Sequence, residues 1–192
     1  MPRRKGFFTS GAYYHIFNRV IEGEVLFRDR GNYLYCIDLM KRNGSKYRNN
    51  VIAYCLMPNH YHFLLEQKSN QPISTFVSVL YNAYVQKVNQ LWGRRGPLFR
   101  GCFRHVLVER EEYLIHLCRY IHLNPVEAGI VQNPEEWPYS NYLEWINKRS
   151  GDLQDPEFIQ TYFRSAQDYQ GFVLDFDVES KFEKQLSSYL LE

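Results

Sequence analysis

The residues best suited to chemistry in this chain are His60 and His62, which open the second of two apolar runs in VIAYCLMPNHYHFLLEQ, residues 51–67. Side chains alternate across an extended strand, so the two imidazoles point the same way, roughly 6.6 Å apart at about 3.3 Å per residue. Such a pair either chelates a metal or faces a phosphate; the ordinary alternative is two strand histidines that have each found a hydrogen-bond partner. A second feature, far along the chain, adds to them. Tyr120 and Asn124 stand at i and i+4 of a helical pattern and so face one direction. The four residues make a complete set: two imidazoles and an amide oxygen for a divalent cation, with a phenol beside it. Tyr113 lies on the same stripe but has no amide four residues on, which makes it the second choice for a reacting phenol.

These residues need elements to hold them. Gly11 to Val20, rich in aromatic and β-branched residues, reads as a first strand with Tyr13, His15, Phe17 and Arg19 on one face. That face either lies near a phosphate or, more ordinarily, looks out to solvent from a sheet edge. Asp29 to Asn43 has helical spacing and closes with Lys41, Arg42 and then Gly44, the usual C-terminal signals. Val51–Met57 and His60–Gln67 form a strand pair around Pro58-Asn59. From Pro72, apolar residues recur at three- and four-residue intervals (Ile73, Phe76, Val77, Leu80, Tyr84, Val88, Leu91) until Gly93, predicting an amphipathic helix. Phe103 to Glu109 reads as a strand. Glu111 and Glu112 then start a helix, with Leu114, Leu117, Cys118 and Ile121 as its buried stripe and Pro125 as its end.

The order strand, helix, strand, strand, helix, strand matches the split βαβ pattern of an α+β, ferredoxin-like antiparallel sheet. In that arrangement the histidines stand on a central strand and the following helix lies across the sheet, carrying its tyrosine to them. Residues 1–146 are expected to form this catalytic unit. Residues 147–154 look like a linker, and 147–192 like an acidic, mostly helical extension, with one helix capped by Asp155-Pro156 and another over 178–191.

Charge separates the two halves. Residues 1–105 carry 16 Lys+Arg against 5 Asp+Glu, whereas 106–192 carry 7 against 16. The N-terminal part is therefore built to meet a polyanion. From Lys87 to His105 there are five basic residues and no acid, interleaved with Trp92, Phe99 and Phe103, a pattern that suits a single-stranded backbone and its unstacked bases. The alternative is a solvated loop with its rings turned into the core. The cationic candidates for nucleic-acid contact are Arg3, Arg4, Arg19, Lys87, Arg94, Arg95, Arg100 and Arg104. Four scattered cysteines without a C-x-x-C pair argue for reduced, mostly packed thiols. With no long apolar run, the expectation is a soluble, cytoplasmic protein.

The segments AYYHIFNRV, VIAYCLMPNHYHFLL, GPLFRGCFRHVLV, YLIHLCRYIHLNPVEAGIV and WPYSNY, in this order over about residues 11–145, resemble the HUH single-strand DNA transposases, and among them the single-tyrosine, REP-associated group. The resemblance implies that His60, His62 and Asn124 ligate Mg²⁺ or Mn²⁺ and that Tyr120 is the nucleophile. It also implies that the phenol attacks a phosphodiester of hairpin or repeat-derived single-stranded DNA, leaving a 5′-phosphotyrosine link and a free 3′-OH for strand transfer. His116, one turn before Tyr120, is a candidate to assist deprotonation. Two positions depart from the group's pattern: Tyr61 stands where a smaller apolar residue is common, and Glu127 where a basic one is frequent. A DNA-binding protein of the same fold that acts on repeats without cutting is the alternative reading, and an RRM-like RNA binder a weaker one. Monomer and homodimer are both open.

Overall fold

A computed structural model of the chain describes residues 8–175. Arg3, Arg4 and the helix expected over 178–191 lie outside the described residues. The elements are β1 (Tyr13–Arg19), α1 (Arg30–Tyr47), β2 (Asn49–Met57), β3 (His60–Gln67), α2 (Ile73–Trp92), β4 (Arg104–Val108) and α3 (Glu111–Glu127). A 3₁₀ turn at Pro134–Glu136 follows, then short helices α4 (Tyr142–Trp145), α5 (Pro156–Tyr162) and α6 (Ala166–Leu174).

The sheet is antiparallel throughout with order β2-β3-β1-β4, the ferredoxin-like arrangement expected from the element order. β2 and β3 are buried on both faces because both faces are covered. On one face Tyr61 of β3 lies against Tyr81 of α2, ring centroids 4.1 Å apart, and α1 packs beside α2. On the other face lies α3, with Leu117, Cys118 and Ile121 fully buried. The interior therefore has three layers, helix pair, sheet and helix.

The two-residue link Pro58-Asn59 is anchored from outside, which fixes where β3 begins. Leu26 N–H donates to the Pro58 carbonyl at 2.7 Å and Val20 N–H to the Asn59 carbonyl at 3.0 Å. β1 is an interior strand, so His15 is fully buried and does not face solvent from an edge.

Two helix ends differ from the expected ones. α1 runs through Gly44, which is buried inside it. The left-handed stop falls on Arg48 instead (φ 51°), whose N–H meets the carbonyls of Gly44 and Ser45. α3 likewise passes through Pro125 to Glu127. Ile130 N–H then closes on the Pro125 carbonyl and Gly129 N–H on that of Val126, with Gly129 at φ 66°. Because the helix persists past Asn124, that residue keeps its i+4 register with Tyr120.

Residues 147–154 are tied down along their length. Lys41 reaches Asp152 at 2.9 Å, Arg149 pairs with Glu144 at 2.5 Å, and Leu153 is buried. Asn141 is the knot: its Oδ1 accepts from Tyr54 N–H and its Nδ2 donates to the Ile52 and Leu153 carbonyls. Asp155 caps α5 by accepting from Phe158 N–H at 3.0 Å. Phe158, Tyr169 and Val173 of α5 and α6 belong to the same apolar cluster as the sheet, so the described part of the extension shares its core.

Candidate active site

Strand register assembles the site. On β3, His60 and His62 point to the α3 side while Tyr61 turns to α2, as alternation requires. β1 sets Arg19 opposite His60 and Phe17 opposite His62, and β4 sets Arg104 opposite Phe17. From across the sheet, Asn124 brings its Oδ1 to 3.0 Å from Nε2 of His60. One turn earlier, the half-buried ring of Tyr120 stands edge-on to His62, centroids 5.4 Å apart and planes at 86°.

The two histidines open on a cleft of about 230 Å³ lined by Phe17, Arg19, His60, His62, Arg100 and Arg104, with Gly101 and Cys102 at its rim. Burial, the positive tendency of the neighbouring His15 and His60, and Arg19 together hold the His62 imidazole well below the usual histidine range. It is therefore neutral at pH 7 and able to offer a lone pair. Its Nε2 is buried without a hydrogen-bond partner.

An unpaired ring nitrogen, a second imidazole and an amide oxygen converge here, and this donor set suits a divalent cation with positions left open. Among the described residues no three His, Cys, Asp or Glu side chains gather at metal-binding spacing, so the third protein donor would be the Asn124 amide. Mg²⁺ prefers oxygen, and imidazole raises the affinity for Mn²⁺ over it.

The other sequence candidates are dispersed. Tyr113 sits two turns from Tyr120, about 10.5 Å along the axis at 1.5 Å per residue, with the Arg110 guanidinium 5.6 Å above its ring. His116 lays its ring against Phe172 of α6, 5.2 Å away, and burial followed by the nearby Arg119 lowers its pKa. Lys87 is exposed on α2, on the far side of the sheet, and Arg95 is exposed in the loop after it. Arg94 is engaged within the molecule: it pairs with Glu24 at 2.6 Å and with Asn89 Oδ1 at 2.8 Å. The acid-free basic stretch is thus partly neutralised by the turn at 21–24, where Glu22 also lies 3.5 Å from Arg100. Its rings are partly spent on packing, Phe99 against Tyr61 and Tyr81 and Trp92 under Arg28.

Two residues beside the histidines are not among the ligands expected from the sequence, although His15 lies on the β1 face expected either near a phosphate or at a solvent-facing edge. His15 has its Nε2 3.0 Å from Nδ1 of His62. Asn59 has its Oδ1 2.7 Å from Nδ1 of His60. Asn59 is adjacent in sequence and could have been found as a turn amide; His15 is diagonal to His62 only in the observed register, which no local pattern encodes.

Fold and cleft together define an α+β protein of the ferredoxin-like kind with a histidine pair on a basic cleft and a tyrosine ring beside one of the histidines. A family model described as "Transposase IS200 like" matches residues 8–124, and the chain belongs to that family of DNA-processing enzymes. A REP-associated tyrosine transposase of Haemophilus influenzae is 24% identical over 113 residues, 53% of this chain and 64% of that protein. The chain thus spans just under two thirds of this relative's length. Among solved structures, a REP-associated tyrosine transposase bound to a REP hairpin shares the fold, with a TM-score of 0.61 at 15% identity over 81% of this chain and 94% of that one. A transposase from Deinococcus radiodurans aligns with a TM-score of 0.42 at 18% identity, over 63% of this chain and 95% of the other.

Proposed function

We propose that this protein cuts and rejoins single-stranded DNA through Tyr120, acting on hairpin or repeat-derived DNA as a single-tyrosine transposase. The observation that carries the reading is the phenol ring standing 5.4 Å from the ring of His62, which itself lines a basic cleft. The relatives support the substrate class, since one is named as REP-associated and the other was solved on a REP hairpin.

His60, His62 and Asn124 would hold Mg²⁺ or Mn²⁺, which when bound supplies Lewis acidity at the scissile phosphate. The remaining work falls to the chain. Arg19, Arg100 and Arg104 line the cleft and offset the charge of the DNA backbone. The Tyr120 oxygen forms a bond to phosphorus as the bond from phosphorus to the 3′-oxygen breaks. The phenol proton passes to solvent, and the departing oxygen is protonated to a free 3′-OH. The 5′-phosphate stays on the tyrosine. A free phenol has a pKa near 10, so about a thousandth is ionised at neutral pH and the protein must favour the ionised form. Phenolate is also the better leaving group, so a DNA 3′-OH can reverse the link without a nucleotide energy source.

The test is covalent capture. Incubated with a 5′-labelled hairpin oligonucleotide carrying a single-stranded flank and with Mn²⁺, the protein should form an SDS-resistant adduct, and Tyr120→Phe should lose it while still shifting the DNA on a native gel. An adduct that persists in Tyr120→Phe would assign the nucleophile elsewhere, with Tyr113→Phe as the next variant to examine.

A further inference from the structure

A neutral imidazole carries one N–H and one lone pair, so whatever binds one nitrogen decides what the other can do. For His60 two amide oxygens compete for one hydrogen: Asn59 Oδ1 lies 2.7 Å from Nδ1 and Asn124 Oδ1 3.0 Å from Nε2. The shorter contact favours the hydrogen on Nδ1, which leaves the Nε2 lone pair facing Asn124 Oδ1, acceptor against acceptor, a contact that a cation ligated by both atoms relieves.

For His62 the partner is His15. The N···N distance of 3.0 Å is shorter than the roughly 3.5 Å contact of ring faces, and the planes differ by only 16°. The two rings therefore lie side by side in nearly one plane, with an N–H of one aimed at the lone pair of the other. If His15 were the donor, His62 Nε2 would carry a hydrogen in a buried spot with nothing to accept it, at a cost of about 1–3 kcal/mol. With His15 as acceptor, His62 Nε2 presents a lone pair to the cleft. His15 is itself fully buried at the centre of the sheet, boxed by Phe17 at 4.8 Å, so its ring is fixed.

We propose that His15 and Asn59 are positioning residues: by accepting from Nδ1–H of His62 and of His60, they hold both rings with Nε2 lone pairs directed at one shared divalent cation. This rests on the metal site of the proposed function and adds how that site is made ready before metal or DNA arrives. Neither residue touches the cation. Outer partners of this kind change metal affinity about 10–100-fold.

The experiment has two arms. Long-range ¹H–¹⁵N correlation spectra of the metal-free protein report which nitrogen of each histidine is protonated; both His60 and His62 are expected as the Nδ1–H form. Mn²⁺ titration by calorimetry or electron paramagnetic resonance should then show a tenfold or greater loss of affinity in His15→Phe and in Asn59→Ala. His15→Gln, which keeps an acceptor, should recover most of it. Circular dichroism melts identify any variant that has simply unfolded, in which case the tautomer spectrum of the unaltered protein decides. His62 protonated on Nε2, or a His15→Phe protein that folds and binds Mn²⁺ as well as the original, would overturn the proposal. Both rings in the Nδ1–H form with no Mn²⁺ uptake would instead overturn the metal site and with it the cation-directed role.

Discussion

Every donor assigned to the cation is uncharged: two imidazoles and an amide. Elsewhere divalent ions are usually neutralised by carboxylates, so this set should bind metal weakly until an anion joins it. The scissile phosphate would be that anion. Metal and DNA should therefore bind cooperatively, and the coupling is reciprocal. The Mn²⁺ affinity measured with Tyr120→Phe bound to an uncleaved oligonucleotide should exceed that of the protein alone by at least fivefold, with Mn²⁺ preferred to Mg²⁺ in both. His60→Ala should abolish the gain. Equal Mn²⁺ affinities with and without DNA would show that the ion and the phosphate do not meet. At this scale the sequence was informative where chemistry repeats at a fixed local spacing. His60 and His62 follow from strand alternation and Tyr120 and Asn124 from helical register, and each pair does face one way. That β3 and α3 would bring the pairs together depended on packing, as did the burial of His15.

At the level of elements, the turn at 21–24 and the loop at 94–104 form one unit. Arg94 binds that loop to Glu24, while Arg100 and Arg104 face the cleft. The arginines, indistinguishable by composition, thus divide into one held within the fold, Arg94, two that line the cleft, Arg100 and Arg104, and the exposed Arg95. Arg100→Ala should lower single-stranded DNA affinity and reduce the slope of log K against log salt by about 0.7. Arg94→Ala should leave the slope unchanged and lower the melting temperature, because Glu24 and Asn89 lose their partner. Identical slopes for Arg100→Ala and the original protein would remove Arg100 from the DNA surface. Element order, and through it the sheet topology, was readable because each run of apolar residues kept one period. The helix ends were harder, since Gly44 and Pro125 are strong local stop signals that burial and the later turns at Arg48 and Gly129 override.

Across the molecule, the C-terminal helices are joined to the site-bearing layer through His122 of α3. Its Nε2–H donates to Asn141 Oδ1 at 2.9 Å, and its Nδ1 accepts from the Tyr169 hydroxyl at 2.5 Å, with Tyr142 and Trp145 of α4 edge-on to the ring. Both nitrogens are satisfied in the neutral form, and burial pushes its pKa down to about 4. The folded value lies below the unfolded one of about 6.5, so stability is intact above pH 6.5 and is lost as pH falls toward 4. Between pH 7 and pH 5 the loss from this residue is about 2 kcal/mol. Tyr142 and Tyr169 face it but do not titrate in that window. Urea unfolding at the two pH values should show this slope, and His122→Gln should flatten it even if it lowers stability overall; an unchanged slope would place the acid sensitivity elsewhere. No helix among the described residues is long and apolar enough to cross a membrane. The apolar surface of α5 and α6 is instead spent on the common core, a union that the acidic composition of residues 147–192 concealed.

Cys102 is exposed at the rim of the cleft, whereas Cys36, Cys55 and Cys118 are buried. The native protein therefore carries a ready-made attachment point for a single maleimide dye, placed where an oligonucleotide would shield it. Labelling should stop at one dye per chain while the fold is intact and slow severalfold once the cleft is filled, giving an optical readout of occupancy that needs no engineered residue and no turnover.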